Sequence, residues 1–113
     1  MPTLINSGAT IIVSIWGRTV QEYKEAAEFC KALPDEIVAV EVNVSCPNIE
    51  DRGSIFSHSA DMTKSVMQVT HDVNRPRWAK LSPNTPDLVE IASAAVDGGA
   101  DALTLVNTLL GMV

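Results

Sequence analysis

The residues able to do chemistry gather at three places, each at or just past the end of a β-like run. Glu41-Val42-Asn43-Val44-Ser45-Cys46-Pro47-Asn48 sets a thiol, a hydroxyl and two carboxamides close together, and Lys80-Leu81-Ser82-Pro83-Asn84 and Val106-Asn107-Thr108 repeat the polar ending. A thiol of ordinary pKa, near 8.5, is mostly protonated at neutral pH, yet it serves as a general base where its site favours thiolate. Lys80 interrupts an apolar run, so its ammonium has to reach water, a partner or a ligand. Each carboxamide also has an ordinary reading: Asn48 as a turn residue after Pro47, Asn84 as a polar residue leading a helix, and Asn107 as a strand-end residue satisfying backbone. On chemistry alone Cys46 stays ambiguous.

The elements that would position these groups alternate. Runs at Thr10 to Ile15, Ile37 to Val44, Arg77 to Leu81 and Ala102 to Val106 read as strands, with helical patterns between them. Thr19 and Glu22 have capping-box spacing; Val20, Tyr23, Ala27, Cys30 and Leu33 form the apolar stripe that follows, and Pro34 stops it. Cys30 on that stripe reads as a small core residue. A second helix is expected after Ser59 with Met62, Val66, Val69 and Val73 buried, ended by Asn74-Arg75-Pro76. A third is expected to open with Thr85 as N-cap, Pro86 at the first helical position and Asp87 near the positive end, closing at Gly98-Gly99.

Short strand-helix-strand connections demand parallel pairing and right-handed crossovers. The exception runs from Ser45 to Ser59, a loop longer than compact domains usually carry without a functional reason. Along Ile37 to Ser45 the alternation sends Val38, Val40, Val42 and Val44 to one face and Ala39, Glu41, Asn43 and Ser45 to the other. Valines under helices with a polar set facing inward suit a (β/α)8 TIM barrel, whose active sites collect at the C-terminal strand ends. Such a barrel needs about 250 residues. The 113 residues here supply four strands and three helices, so the expectation is an α/β fold that is a partial barrel. Its open edges predict a fragment of a larger protein, or a half-barrel that finds a partner.

Composition narrows the function classes. A net charge of −6 with scattered Lys and Arg gives no footprint for nucleic acid. The longest apolar run is far short of the roughly 20 residues of a membrane helix, and nothing basic precedes it. Two cysteines, Cys30 and Cys46, form neither a CxxC pair nor a disulfide framework, which favours a reduced, cytoplasmic setting. His58 and His71 are isolated, so no metal site is expected.

Taken together, the three tips resemble the dihydroorotate dehydrogenase family. Asn43-Val44-Ser45-Cys46-Pro47-Asn48 is similar to the family motif after the fourth barrel strand, Lys80-Leu81-Ser82-Pro83-Asn84 to that after the fifth, and the LTLVNTLLGM stretch from Leu103 to that after the sixth. The resemblance covers nearly all of the chain, with the IIVSIWG stretch from Ile11 as the third strand. It implies one flavin-dependent dehydrogenase domain over residues 1–113, strands 3 to 6 of a parent barrel, catalysing oxidation of dihydroorotate to orotate in pyrimidine (UMP) biosynthesis. Cys46 then matches the base that takes a proton from C5 while hydride passes from C6 to N5 of flavin mononucleotide (FMN). Asn43, Asn48, Asn107 and Thr108 match substrate-binding positions. Lys80 matches the lysine beside the N1 and O2 edge of the flavin. The loop after Cys46 is similar to an active-site loop that closes over substrate.

NTLLGM is closer to the NAD-linked branch of class 1 enzymes, which implies a partner subunit carrying FAD and an iron–sulfur cluster, on a parent expected to be a homo-oligomer. Between Arg52 and Ser59 only Gly53 and Phe56 keep part of the family's usual loop pattern. The early strands and the phosphate-binding loops of the last two are missing, so the isolated chain is expected to be colourless, inactive and poorly soluble or associated. Two other readings compete. A dihydropyrimidine dehydrogenase-type flavoenzyme shares the barrel, though its motif typically continues with His where Asn48 stands, and a half-barrel could persist as a module without catalysis.

Overall fold

The computed structural model describes residues 2–51, 53–109 and 111. A short helix α1 (Pro2–Asn6) leads into strand β1 (Ile11–Ile15), helix α2 (Val20–Cys30) and strand β2 (Ile37–Asn43). Two-residue strands β3 (Pro47–Asn48) and β4 (Ser54–Ile55) follow, then helix α3 (Ala60–Val69), strand β5 (Arg77–Leu81), helix α4 (Leu88–Asp97) and strand β6 (Ala102–Leu105). The four longer strands form one parallel sheet in the order β1-β2-β5-β6. This is an α/β architecture of successive strand-helix units, as in a sector of a (β/α)8 barrel.

The sheet has a helix face and an open face. On the helix face Val40, Val42, Val44, Ala79 and Leu81 are fully buried, packed with Tyr23, Ala27 and Cys30 of α2, Val66 and Met67 of α3, and Ile91 and Ala95 of α4. Burying such side chains contributes about 1.5–3 kcal/mol for each large aliphatic, the main term holding helices to sheet. On the other face register aligns Ser14, Glu41, Trp78 and Ala102 in one row, and Asn43, Lys80 and Thr104 in another. Val38 departs from the expected alternation. A register shift between Ile11 and Ile12 skips it in the β1–β2 ladder, and it is 46% exposed while Ile37 and Ala39 are buried.

Helix α3 ends and helix α4 begins away from the boundaries read in the sequence, and the α2 capping box differs in one contact. Thr19 caps α2 as expected, accepting from the Glu22 N–H at 3.1 Å, but the Glu22 carboxylate reaches back to the Arg18 N–H at 2.6 Å and not to that of Thr19. Helix α3 stops at Val69, where Thr70 turns its hydroxyl back onto the carbonyls of Val66 and Met67. Its buried side is Thr63, Val66 and Met67; Met62 and Val69 are half-buried, and Val73 is buried beyond the helix. Helix α4 begins two residues later than expected because Asp87, not Thr85, is the cap, accepting from the Glu90 N–H at 3.0 Å. The long Ser45–Ser59 connection has structure of its own: β3 and β4 pair antiparallel, with one 3-10 turn (Ile49–Asp51) between them and a second (Phe56–His58) after β4.

Among the described residues no helix is long and apolar enough to cross a membrane, and no group of His, Cys, Asp and Glu could hold a metal ion.

Candidate active site

The open face ends in a polar cluster where β2, β5 and β6 finish. Alternation puts Glu41, Asn43, Lys80 and Thr104 on the uncovered side, and parallel register sets Asn43 directly beside Lys80. Glu41 is the hub. One carboxylate oxygen accepts from the Ser14 hydroxyl at 3.2 Å and faces the Lys80 ammonium at 3.8 Å; the other accepts from Thr104 at 3.0 Å. The two charged side chains are 16% and 27% exposed, so the pair is shielded but the ammonium head still reaches the open face. An ammonium has three donors, and this geometry leaves some of them for another acceptor.

Asn43 and Asn107 meet across the strand ends. The Asn107 amide donates to the Asn43 side-chain carbonyl at 3.4 Å, and that same oxygen accepts from the Ser45 N–H at 3.0 Å. Asn107 is anchored by its own N–H to the Leu81 carbonyl at 2.9 Å, and its side-chain oxygen accepts from the Thr108 N–H at 2.7 Å. The Asn84 amide in turn donates to the Thr108 carbonyl at 2.7 Å, tying the β5 and β6 tips together. Ser45, Ile55, Ser82, Asn84, Asn107 and Thr108 line one shallow cleft there.

Cys46 sits half-buried in the turn after β2. Burial pushes its thiol up, while hydrogen bonding by Tyr23 and the positive charge of Lys80 pull it down. The turn is fixed from the far side: the Phe56 N–H donates to the Cys46 carbonyl at 3.2 Å and the Ser57 N–H to the Val44 carbonyl at 2.9 Å. On the near side the loop Trp16 to Arg18 crosses close to the start of α2. A Cβ on Gly17 would lie 2.9 Å from the Tyr23 backbone nitrogen, so only glycine lets the chain pass there.

Of the expected site residues, Asn43, Cys46, Lys80, Asn107 and Thr108 lie at this end of the sheet. Asn48 is set apart. It is 3% exposed inside the β3–β4 hairpin, where its side-chain oxygen accepts from the Glu50 N–H at 3.0 Å, and it borders a separate hollow with Ser54, Phe56, His58 and Met62. Leu110 and Met112 of the NTLLGM stretch, and Arg52 of the loop, lie outside the described residues. Three contributors escaped the sequence reading as site residues. Ser45 shares the inward parity of Glu41 and Asn43; Glu41 is a carboxylate in a strand, which calls for a cation; Tyr23 is a phenol on an apolar helix stripe, which calls for a hydrogen-bond partner.

Half-buried thiol, paired carboxamides and a cation held by one carboxylate could remove a proton, orient a polar ring and stabilise developing negative charge. Comparison with known proteins gives the family. The family model described as dihydroorotate dehydrogenase matches residues 3–113. The dihydroorotate dehydrogenase B (NAD(+)) catalytic subunit of Geotalea uraniireducens is 42% identical over 113 residues, covering 99% of this chain and 37% of that protein. Proteins of the same name from Desulforudis audaxviator and Alkaliphilus oremlandii are 46% and 48% identical, over 100% and 90% of this chain and 37% and 33% of their own lengths. The chain therefore spans little more than a third of the relatives it matches. A family match running from residue 3 to residue 113 leaves no strand of the sheet outside it, and the chain belongs to the dihydroorotate dehydrogenase family.

Proposed function

We propose that the protein carrying this chain oxidises dihydroorotate to orotate, with Cys46 as the base and FMN as the hydride acceptor. The observation that carries the reading is the convergence of Cys46, Asn43, Asn107 and Lys80 at one end of the sheet. FMN, when bound, supplies the two-electron acceptor that takes hydride from C6 of the substrate. Cys46 as thiolate takes the proton from C5, so the two C–H bonds break, the C5–C6 double bond forms, and the thiol later returns its proton to water. Asn43 and Asn107 hold the pyrimidine ring through carboxamides that both donate and accept, with the Thr108 hydroxyl beside them. Asn48, engaged inside the hairpin here, reaches substrate as the β3–β4 segment closes over the site.

Lys80 fits the edge of a flavin that gains charge on reduction. Its ammonium stands on the open face with a single carboxylate at 3.8 Å, which leaves donor capacity toward an acceptor edge. The relatives are named as catalytic subunits of an NAD(+) enzyme, which supports a partner subunit that passes electrons onward, carrying FAD and an iron–sulfur cluster in this reading. The test is anaerobic addition of dihydroorotate to the flavin-loaded protein. The reading expects the oxidised flavin absorbance to bleach in step with orotate formation; a flavin that stays oxidised while bound would overturn it.

A further inference from the structure

The open face of the sheet holds one carboxylate that the reading above leaves without a task. Glu41 stands beside Ser14 of β1 and Trp78 of β5 in register, and Lys80 lies two residues further along β5 on the same side. The Glu41 carboxylate touches a side chain from each of the other three strands: the Ser14 hydroxyl at 3.2 Å, the Lys80 ammonium at 3.8 Å and the Thr104 hydroxyl of β6 at 3.0 Å. To reach β6 from β2 it lies across β5, the strand that carries Lys80. The two hydroxyls donate to different oxygens, which fixes the plane of the carboxylate, and the oxygen that takes Ser14 also faces the ammonium. With its side chain 16% exposed, the carboxylate is largely screened from water, so its pull on a neighbouring charge is stronger than on an open surface.

We propose that Glu41 is the positioning residue for Lys80: clamped by Ser14 and Thr104, its carboxylate draws the ammonium back onto the sheet and so limits how strongly that charge stabilises reduced flavin. The inference rests on the proposed place of Lys80 at the flavin edge and assigns the group that tunes it. A positive charge beside an edge that gains negative charge favours reduction, and the effect weakens with separation. Held by Glu41, the ammonium exerts part of that effect; released, it exerts more. The restraint suits a site whose electrons must pass onward to a partner, because it keeps the reduced state from becoming too stable to give them up. A Glu41 that only ties strands together would change stability and leave the flavin potential alone.

Glu41→Gln keeps the length of the side chain and one acceptor oxygen, and removes the charge. The readout is the reduction potential of the bound flavin in the flavin-loaded protein, measured without dihydroorotate by slow reduction with xanthine and xanthine oxidase against a reference dye. At the potential where wild type is half reduced, the ratio of reduced to oxidised flavin in Glu41→Gln is expected to rise about threefold to tenfold, which is about 15–30 mV for a two-electron couple. Lys80→Met should move the ratio the other way. Adding Glu41→Gln to Lys80→Met should shift it less far than Glu41→Gln does alone, because the ammonium through which Glu41 acts is gone. An unchanged or lowered ratio in Glu41→Gln would overturn the inference, and so would a shift just as large with Lys80 already absent. A raised potential in a protein whose flavin never bleaches with dihydroorotate would sink the proposed function and leave the Glu41–Lys80 coupling standing. Should Glu41→Gln not fold, Thr104→Val, which removes one clamp and keeps the side-chain shape, should raise the ratio by a smaller factor; no rise would overturn the inference equally.

Discussion

Glu41 and Lys80 face each other across β2 and β5 on the open side of the sheet, carboxylate oxygen and ammonium nitrogen 3.8 Å apart, with Ser14 and Thr104 gripping the same carboxylate. The separation is long for an ion pair and both groups keep some solvent. A double-mutant cycle of Glu41→Ala and Lys80→Ala, read by urea unfolding, should therefore give a coupling of about 0.5–1 kcal/mol. Glu41→Ala alone should cost more, about 1–2 kcal/mol, because it also strips two hydroxyls of their acceptor. Strict additivity of the two variants would show that the pair is adjacent without being coupled.

At the opposite end of β5, Arg77 is a structural clasp. Its guanidinium is buried and donates to the Met67 carbonyl, to the Thr70 hydroxyl at 2.9 Å and to the Gly99 carbonyl at 2.9 Å, joining the ends of α3 and α4. Gly99 has a φ of +109°, and a Cβ there would lie 2.5 Å from the guanidinium, so the clasp requires glycine. Arg77→Met removes all three of these bonds at once and should lower stability by about 2 kcal/mol or more. A loss below about 1 kcal/mol in the urea midpoint would mean that water replaces the guanidinium at little cost.

Alkaline pH should weaken this protein. Burial is the leading cause that raises Tyr23, Cys30 and Cys46 above their ordinary ionisation ranges. Each is neutral when protonated, so the unfolded chain gives up these protons first as pH rises. The stability they contribute is complete below the ordinary thiol range near 8.5, is lost as pH climbs through the displaced thiol values, and falls further above about 10 as unfolded tyrosine ionises. The urea midpoint should thus drop between pH 7.5 and pH 9.5, and Cys30→Ala should flatten the drop. Equal midpoints at both pH values would mean that the thiols titrate alike folded and unfolded.

The parallel sheet was legible because alternation holds from Val40 onward: Val40, Val42 and Val44 announced the helix side and Asn43 and Lys80 the open side. The tips could be found because strand ends in such folds collect function. Boundaries were lost where two residues competed for one job. Thr85 and Asp87 are both good caps, and only the backbone path decides that Asp87 reaches the Glu90 N–H. Thr70 ended α3 through side-chain bonds to carbonyls that periodicity cannot register. The β3–β4 hairpin has two residues per strand, too short for alternation to show, which is why the sequence offers Asn48 as a turn residue or a substrate contact without revealing its burial. Tyr23 was read as core, since packing explains its ring but says nothing of where its hydroxyl points.

The central claim is that the thiol at the tip of β2 removes the substrate proton. The direct measurement is the single-turnover rate of flavin reduction by dihydroorotate under anaerobic conditions, in wild type and Cys46→Ala, with flavin content measured on the same samples. Loss of a general base predicts slowing of about 10²–10⁴-fold in Cys46→Ala at unchanged flavin content. A Cys46→Ala protein that keeps its flavin and is reduced within a factor of about two of wild type would contradict the account, since that falls far below what a positioned base contributes.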